Sequence, residues 1–148
     1  EDFTKVTPEV KAILLRYFNP AGAHESALIG ESPSNVANNL VPVITETAIG
    51  KRKEMAVFGD DYPTADGTCV RDYIHVSDLA DAHIKGIEYL AEGGASTAMN
   101  LGTGEGYSVK EIIHVAREVT GHPISAEVTP RRPGDPPASV TLRLRRGF

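Results

Sequence analysis

Two arginine-bearing segments hold the densest chemistry in this sequence. In Val70-Arg71-Asp72-Tyr73-Ile74-His75-Val76 an arginine stands inside an otherwise strand-like run. As one strand, residues 70–76 put Arg71, Tyr73 and His75 on one face and Asp72, Ile74 and Val76 on the other. A guanidinium there is costly unless it meets an anion. An internal carboxylate, Asp72 or Asp78, would serve. So would a phosphate, which the planar fork of arginine suits. The second segment is Pro130-Arg131-Arg132-Pro133-Gly134-Asp135. Its prolines and glycine fix a turn that carries two guanidiniums and one carboxylate. Arginine for a diphosphate and a carboxylate for hydroxyls equip a sugar-nucleotide site; a solvated loop is the plain alternative.

A third segment, Leu15-Arg16-Tyr17-Phe18-Asn19-Pro20-Ala21-Gly22-Ala23-His24, ends a buried strand over residues 12–18. The Asn-Pro pair stops regular structure there, because the residue before proline is pushed out of the helical region. The C-terminal end of a strand is where α/β proteins place ligand contacts.

Other candidates are weaker. Gly102-Thr103-Gly104-Glu105-Gly106 has G-x-G-x-G spacing and no acidic residue about 20 positions on after a second strand. It reads as a tight strand-to-helix turn rather than a cofactor pyrophosphate site. His24, His75, His83, His114 and His122 form no H-x-H or H-x-x-x-H pair, so no metal site is expected. Cys69 is the single cysteine.

The elements that must position these residues alternate. Residues 20–37 read as a long loop. A helix then starts behind Asn38-Asn39, with Pro42 in its first turn and Gly50 at its end. Residues 55–58 form a short strand and 59–67 a turn-rich loop. A helix capped by Ser77 or Asp78 follows residues 70–76 and stops at Gly93-Gly94. Residues 98–101 are strand-like. Ser108-Val109-Lys110-Glu111 matches a capping box, and the helix behind it ends at Gly121 and Pro123. Residues 124–128 form a last strand. Strands alternating with helices mean an α/β fold.

Composition narrows the classes. The chain has 148 residues, 41% apolar and 24% charged, with a net charge of −5. That balance excludes a generic nucleic-acid binder, and Lys51-Arg52-Lys53 is taken as solvated surface. No apolar run approaches a membrane span of about 20 residues. One cysteine permits no intrachain disulfide and fits a reducing cytoplasm. The start, Glu1-Asp2-Phe3, is neither a signal peptide nor an initiator methionine, so a chain cut upstream is expected.

Taken in order, the segments resemble a known family. They are Leu15 to Pro20, Asn38-Asn39-Leu40, Val57-Phe58-Gly59-Asp60-Asp61-Tyr62-Pro63-Thr64, Asp66-Gly67-Thr68 with residues 70–76, Asn100-Leu101-Gly102-Thr103-Gly104, and residues 131–135. Together they are similar to the UDP-glucose 4-epimerases, which are extended short-chain dehydrogenases/reductases. The D-Y-P-T-x-D-G-T-x-V-R-D-Y-I-H-V run favours this group over nucleotide-sugar dehydratases, UDP-glucuronate epimerases and a non-catalytic UDP-sugar-binding module.

The resemblance implies the C-terminal part of a Rossmann-type NAD-dependent epimerase, with the last sheet strand or strands and most of the smaller α/β substrate domain. Residues 1–138 would be its sugar-nucleotide-binding portion and 139–148 a divergent tail. The dinucleotide-binding half and its Y-x-x-x-K base would lie upstream. No tyrosine here has a lysine four positions on, so no catalytic residue is assigned and the isolated chain is expected to be inactive. The implied activity interconverts UDP-glucose and UDP-galactose through NAD. By the same resemblance Tyr17 or Phe18 lies beside the nicotinamide and Asn19 contacts substrate. Asn38, Asn39 and Leu40 hold diphosphate or uridine, Ala56 and Phe58 frame uracil, and Arg71 and Arg132 bind the diphosphate. Asp135 meets the ribose or neighbouring hydroxyls. Ser139 stands where a bulky residue would close the pocket at C2 of the sugar, which opens the site to UDP-N-acetylglucosamine. A homodimeric parent is also implied.

Overall fold

β-branched and apolar runs, separated by glycine, proline and asparagine, produce an alternation of strands and helices. The computed structural model describes residues 5–142. The order is β1 (Ile13–Tyr17), β2 (Asn19–Ala21), α1 (Leu40–Ala48), β3 (Met55–Phe58), β4 (Val70–Arg71), β5 (Tyr73–His75), α2 (Val76–Ala91), β6 (Thr97–Leu101), β7 (Tyr107–Ser108), α3 (Val109–Thr120), β8 (Ala126–Thr129) and β9 (Ala138–Ser139). The fold is α/β, as expected. No helix among the described residues is long and apolar enough to cross a membrane.

Parallel pairing dominates. β1 runs beside β6, from Ile13↔Thr97 to Tyr17↔Leu101. β3 runs beside β8, from Met55↔Ala126 to Phe58↔Thr129. The connections between such strands contain helices, as parallel crossovers require. The main core lies under β3, where Ile44, Met55, Val57, Ile113 and Ile124 are buried together. Leu40 and Val43 of α1 and Val109 and Ile112 of α3 pack against that cluster. Both helices therefore start beside β3.

The helix ends follow local chemistry. Ser108 Oγ accepts from Glu111 N at 3.0 Å, and Glu111 Oε2 accepts from Ser108 N at 2.6 Å. That is the capping box read in the sequence. Gly121 closes α3 in the left-handed region, with φ 68°. Asn39 is the N-cap of α1, but its side chain makes no capping bond.

Three expectations need correction. Residues 70–76 are not one strand: the chain divides at Asp72 into β4 and β5, which join different sheets. Arg71 and Tyr73 therefore do not share a strand face. The long loop begins later than residue 20, because Asn19–Ala21 pairs with Tyr73–His75 as β2. Proline drives the preceding residue toward extended backbone, which excludes helix there but permits a short strand. Neither Ser77 nor Asp78 caps α2. His75 does, its Nδ1 accepting from Ser77 N at 3.2 Å. The two-residue strands β7 and β9 have no sequence period to betray them; they exist because both pair with β4.

Asp72 occupies the break. Its side chain is fully enclosed, at 0% exposure. Oδ1 accepts from Thr103 N at 2.8 Å and Thr103 Oγ1 at 2.7 Å. Oδ2 accepts from Gly104 N and Thr141 N, both at 3.0 Å. A Cβ at residue 102 would collide with Asp72 Oδ2 and Thr141 Oγ1, so Gly102 permits the approach. Burial opposes the charge, but bonds from Thr103, Thr141 and Gly104 overcome it and hold the carboxyl down to about 2.

A depressed acid favours folding above its unfolded pKa, near 3.8, and loses that contribution as pH falls toward about 2. Asp72→Asn should lower unfolding stability at neutral pH by on the order of 3 kcal/mol, the scale of charge-assisted bonds lost. It should also flatten the acid limb between about pH 4 and pH 2. Urea unfolding across that range checks both; an unaltered acid limb would refute the assignment.

Candidate functional site

Strand ends and helix starts converge on one cleft. β3 contributes Ala56 and Phe58, and the start of α1 contributes Asn38, Asn39 and Leu40 to a cavity of about 490 Å³. Asn19, Arg71, Arg132 and Asp135 complete its polar wall. An adjoining cavity of about 420 Å³ is lined by Tyr17, Phe18 and Ser139, and shares Asn19, Arg71 and Asp135 with the first. All twelve site residues named from the sequence lie on these two cavities. Parallel pairing of β3 with β8 leads the chain directly from Thr129 into the 130–135 turn, opposite Phe58. The turn thus lands over the strand end.

The charged centre is Asp135 between two arginines. Arg132 Nε and Nη2 donate to its two oxygens at 3.0 and 3.1 Å. Arg71 Nη2 reaches Asp135 Oδ1 at 3.4 Å. Arg71 is also held by two carbonyls: Nη1 donates to Val70 O and Pro136 O, each at 2.9 Å. Neither Asp72 nor Asp78 is its partner, because Asp72 points into the 103–104 turn. Two guanidiniums and one carboxylate leave this centre with an excess positive charge facing the cleft. The hydrogen bond to Asp135 raises the Arg132 pKa, so that charge is permanent.

The neighbouring arginines divide. Arg132 stands over the Phe58 ring, 5.2 Å from its centroid. Arg131 turns away: it donates to Asp61 Oδ1 and Asp61 O, both at 2.6 Å, and covers the Tyr62 ring at 4.1 Å. Only Arg132 of the two lines the cleft. Arg131 instead ties the 59–62 turn to the 130–135 turn.

Several lining residues escaped sequence reasoning. Tyr73 and Val109 face the cleft. Burial pushes the Tyr73 hydroxyl up to about 12, so it remains a neutral hydrogen-bond donor. The strand spacing that set Tyr73 beside Arg71 in the sequence does not hold, yet both line the cleft. Arg52 also lines the cleft, with its side chain only 29% exposed. The solvated reading of that basic cluster is therefore corrected for Arg52; Lys51 keeps it, at 66% exposure. No group of three metal-ligating side chains exists among the described residues.

The residues present fit NAD only at its ring end. Tyr17 is half exposed beside the second cavity, its ring 6.0 Å from that of His83. Such a face can stack on a nicotinamide. The glycine turn at 102–106 cannot take pyrophosphate, since the amides of Thr103 and Gly104 are spent on Asp72.

Residues 3–102 match the NAD dependent epimerase/dehydratase family. The chain belongs to that family. Within it, this epimerase/dehydratase chain is 50% identical over 134 residues to a UDP-glucose 4-epimerase of Erwinia amylovora, covering 90% of this chain and 40% of that relative. Its fold superposes on UDP-glucose 4-epimerase from Bifidobacterium longum in complex with NAD+ and UDP with a TM-score of 0.87. The identity is 49%, over 93% of this chain and 41% of that one. The UDP-Glc/GlcNAc 4-epimerase of Campylobacter jejuni gives a TM-score of 0.73 at 42% identity, over 94% of this chain and 42% of that one. The chain thus spans about 40% of the length of the curated relatives it matches.

Unequal anchoring predicts unequal costs. Arg71 is 14% exposed and joins β4 to the 135–136 segment, whereas Arg132 is 50% exposed. Arg71→Ala should reduce stability by roughly 1.5–3 kcal/mol and Arg132→Ala by less than about 1 kcal/mol. Thermal unfolding of both variants measures the difference, and equal losses would contradict it.

Proposed function

We propose that this chain carries the UDP-sugar-binding portion of a UDP-glucose 4-epimerase, the isomerase that interconverts UDP-glucose and UDP-galactose. The supporting observation is the Arg71–Asp135–Arg132 centre beside the exposed Phe58 ring, in a family member about half identical to proteins of that name. A nucleoside diphosphate needs both features at once: fixed cationic forks for the phosphates and an apolar wall for the base. Phe58 and Ala56 would supply the wall for uracil. Arg71 and Arg132 would take the diphosphate, each rotating part of its hydrogen bonding from Asp135 to phosphate oxygen. Asp135 would then be free to accept from a ribose hydroxyl.

Asn38, Asn39 and Leu40 would place the start of α1 against the nucleotide, where its unpaired amides favour an anion. Asn19 would meet the hexose where the two cavities join. Tyr17 and Phe18 would wall the nicotinamide side of the second cavity. NAD, when bound, would supply the hydride acceptor and donor for C4 of the hexose. The chain's own residues would hold and orient the sugar nucleotide. The general base and the pyrophosphate loop have no counterpart in this sequence, so turnover belongs to the longer protein.

Isothermal titration with UDP tests the proposal on this chain directly. The chain should bind UDP, and Arg132→Ala should weaken binding more than tenfold, as expected for a lost charge-assisted bond of about 1.5–3 kcal/mol. A chain that folds and ignores UDP, or an Arg132→Ala variant of unchanged affinity, would refute it.

Sugar range is the finer part of the proposal. Ser139 lies on the second cavity and pairs with Arg71 across β4 and β9. Its small side chain leaves room at C2, so the pocket should admit UDP-N-acetylglucosamine as well as UDP-glucose. Ser139→Tyr should lower affinity for the N-acetylated sugar nucleotide at least fivefold while sparing UDP-glucose, read by the same titration. Equal losses for both ligands would argue against a steric role.

A further inference from the structure

Three arginines line the larger cavity among the described residues, and Arg52 is the one with no role so far. Its Nη2 donates to Ala37 O at 3.2 Å and to Glu46 Oε2 at 3.0 Å; its Nε reaches the same carboxylate oxygen at 3.3 Å. Glu46 sits on α1, and its other oxygen accepts from Lys51 Nζ at 2.9 Å. The Arg52 amide also donates to Glu46 O at 3.1 Å. One guanidinium therefore ties together the segment before α1, the body of α1 and the turn behind it.

That tie falls at a particular place. Ala37 is buried, and Asn38-Asn39-Leu40 follow it directly into the cleft. The Asn39 side chain makes no cap bond, so the entry to α1 lacks the usual local restraint. Arg52 supplies a restraint from outside, through the Ala37 carbonyl. Its charge is meanwhile matched by Glu46, whose own pKa is lowered by hydrogen bonds from Lys51 and Arg52.

We infer that Arg52 is a positioning residue for nucleotide binding: it clamps the Asn38–Leu40 turn against α1 through Ala37 and Glu46, without touching the ligand. This rests on the cleft being a UDP-sugar site. A turn already ordered before binding spares the ligand the cost of ordering it. A cation acting through its charge would behave differently, since Glu46 would then be an opponent rather than an accomplice.

The test is titration of UDP into the chain and four variants: Arg52→Met, Arg52→Lys, Glu46→Gln and the Arg52→Met/Glu46→Gln pair. Thermal unfolding confirms that each is folded. The inference expects each single variant to bind roughly threefold to tenfold more weakly, the cost of one or two unfixed groups. It expects the double variant to be no worse than either single one, because both break the same clamp. Arg52→Lys should not rescue, since an ammonium cannot span the carbonyl and the carboxylate. Wild-type affinity in Arg52→Lys, or tighter binding in Glu46→Gln, would show direct charge action and overturn the inference. Unchanged affinity in all variants would overturn it too, while a wild-type chain blind to UDP would instead sink the site assignment beneath it. Should Arg52→Met fail to fold, the Arg52→Lys and Glu46→Gln arms decide by the same criteria.

Discussion

The structure turns on one enclosed carboxylate. Asp72 accepts four hydrogen bonds from Thr103, Gly104 and Thr141, so a single side chain joins the 103–104 turn to the segment at residue 141. Its backbone takes part as well: Asn19 N donates to Asp72 O, and Asp72 N donates to Ser139 O. A buried charge is stable only when it is fully satisfied, and here satisfaction demands that the 102–104 turn, β2 and the 139–141 segment all arrive. Arg71 precedes this residue and Tyr73 follows it. Both cleft side chains are therefore positioned by a neighbour that never reaches the cleft.

Charge in the cleft is arranged by the same economy of partners. Asp135 holds Arg71 and Arg132 at fixed separation without cancelling them. An incoming diphosphate would meet forks already oriented and a net positive charge, the combination that favours bidentate recognition. Arg131, adjacent in sequence, is withdrawn to Asp61 and Tyr62 and serves to seat the turn. Arg52, which also lines the cleft, is paired with Glu46. Of the four arginines on or beside the larger cavity, two present their forks as a pair and two brace the walls.

Much of the frame was legible in the residues. The capping box at Ser108–Glu111, the glycine stop at Gly121, the strand at 55–58 and the helix behind Asn39 follow from local chemistry and stand as read. The short strands were not legible. β4, β7 and β9 have two residues each, too few for any periodicity, and each exists only because a distant segment pairs with it. Residues 70–76 look like one strand by composition. They divide at Asp72, where the backbone passes from pairing with Ser139 of β9 to pairing with Asn19 of β2, and nothing near Asp72 in the chain reveals where those partners are.

The site shows the same division. Residue type and motif order determined which arginines, asparagines and aromatic side chains would gather. All twelve candidates line two adjoining cavities. Tertiary structure alone decided the pairing. It gave Arg71 to Asp135 across an interval of 64 residues, turned Arg131 outward while Arg132 faced in, and drew Arg52 from an apparently solvated cluster into the wall. The reason is physical. Propensities, caps and turns are set by neighbours within a few residues, and so are written in the local sequence. The partner of a buried charge is set by which donor or acceptor the assembled chain brings within about 3 Å, and that distance exists only once the fold is complete.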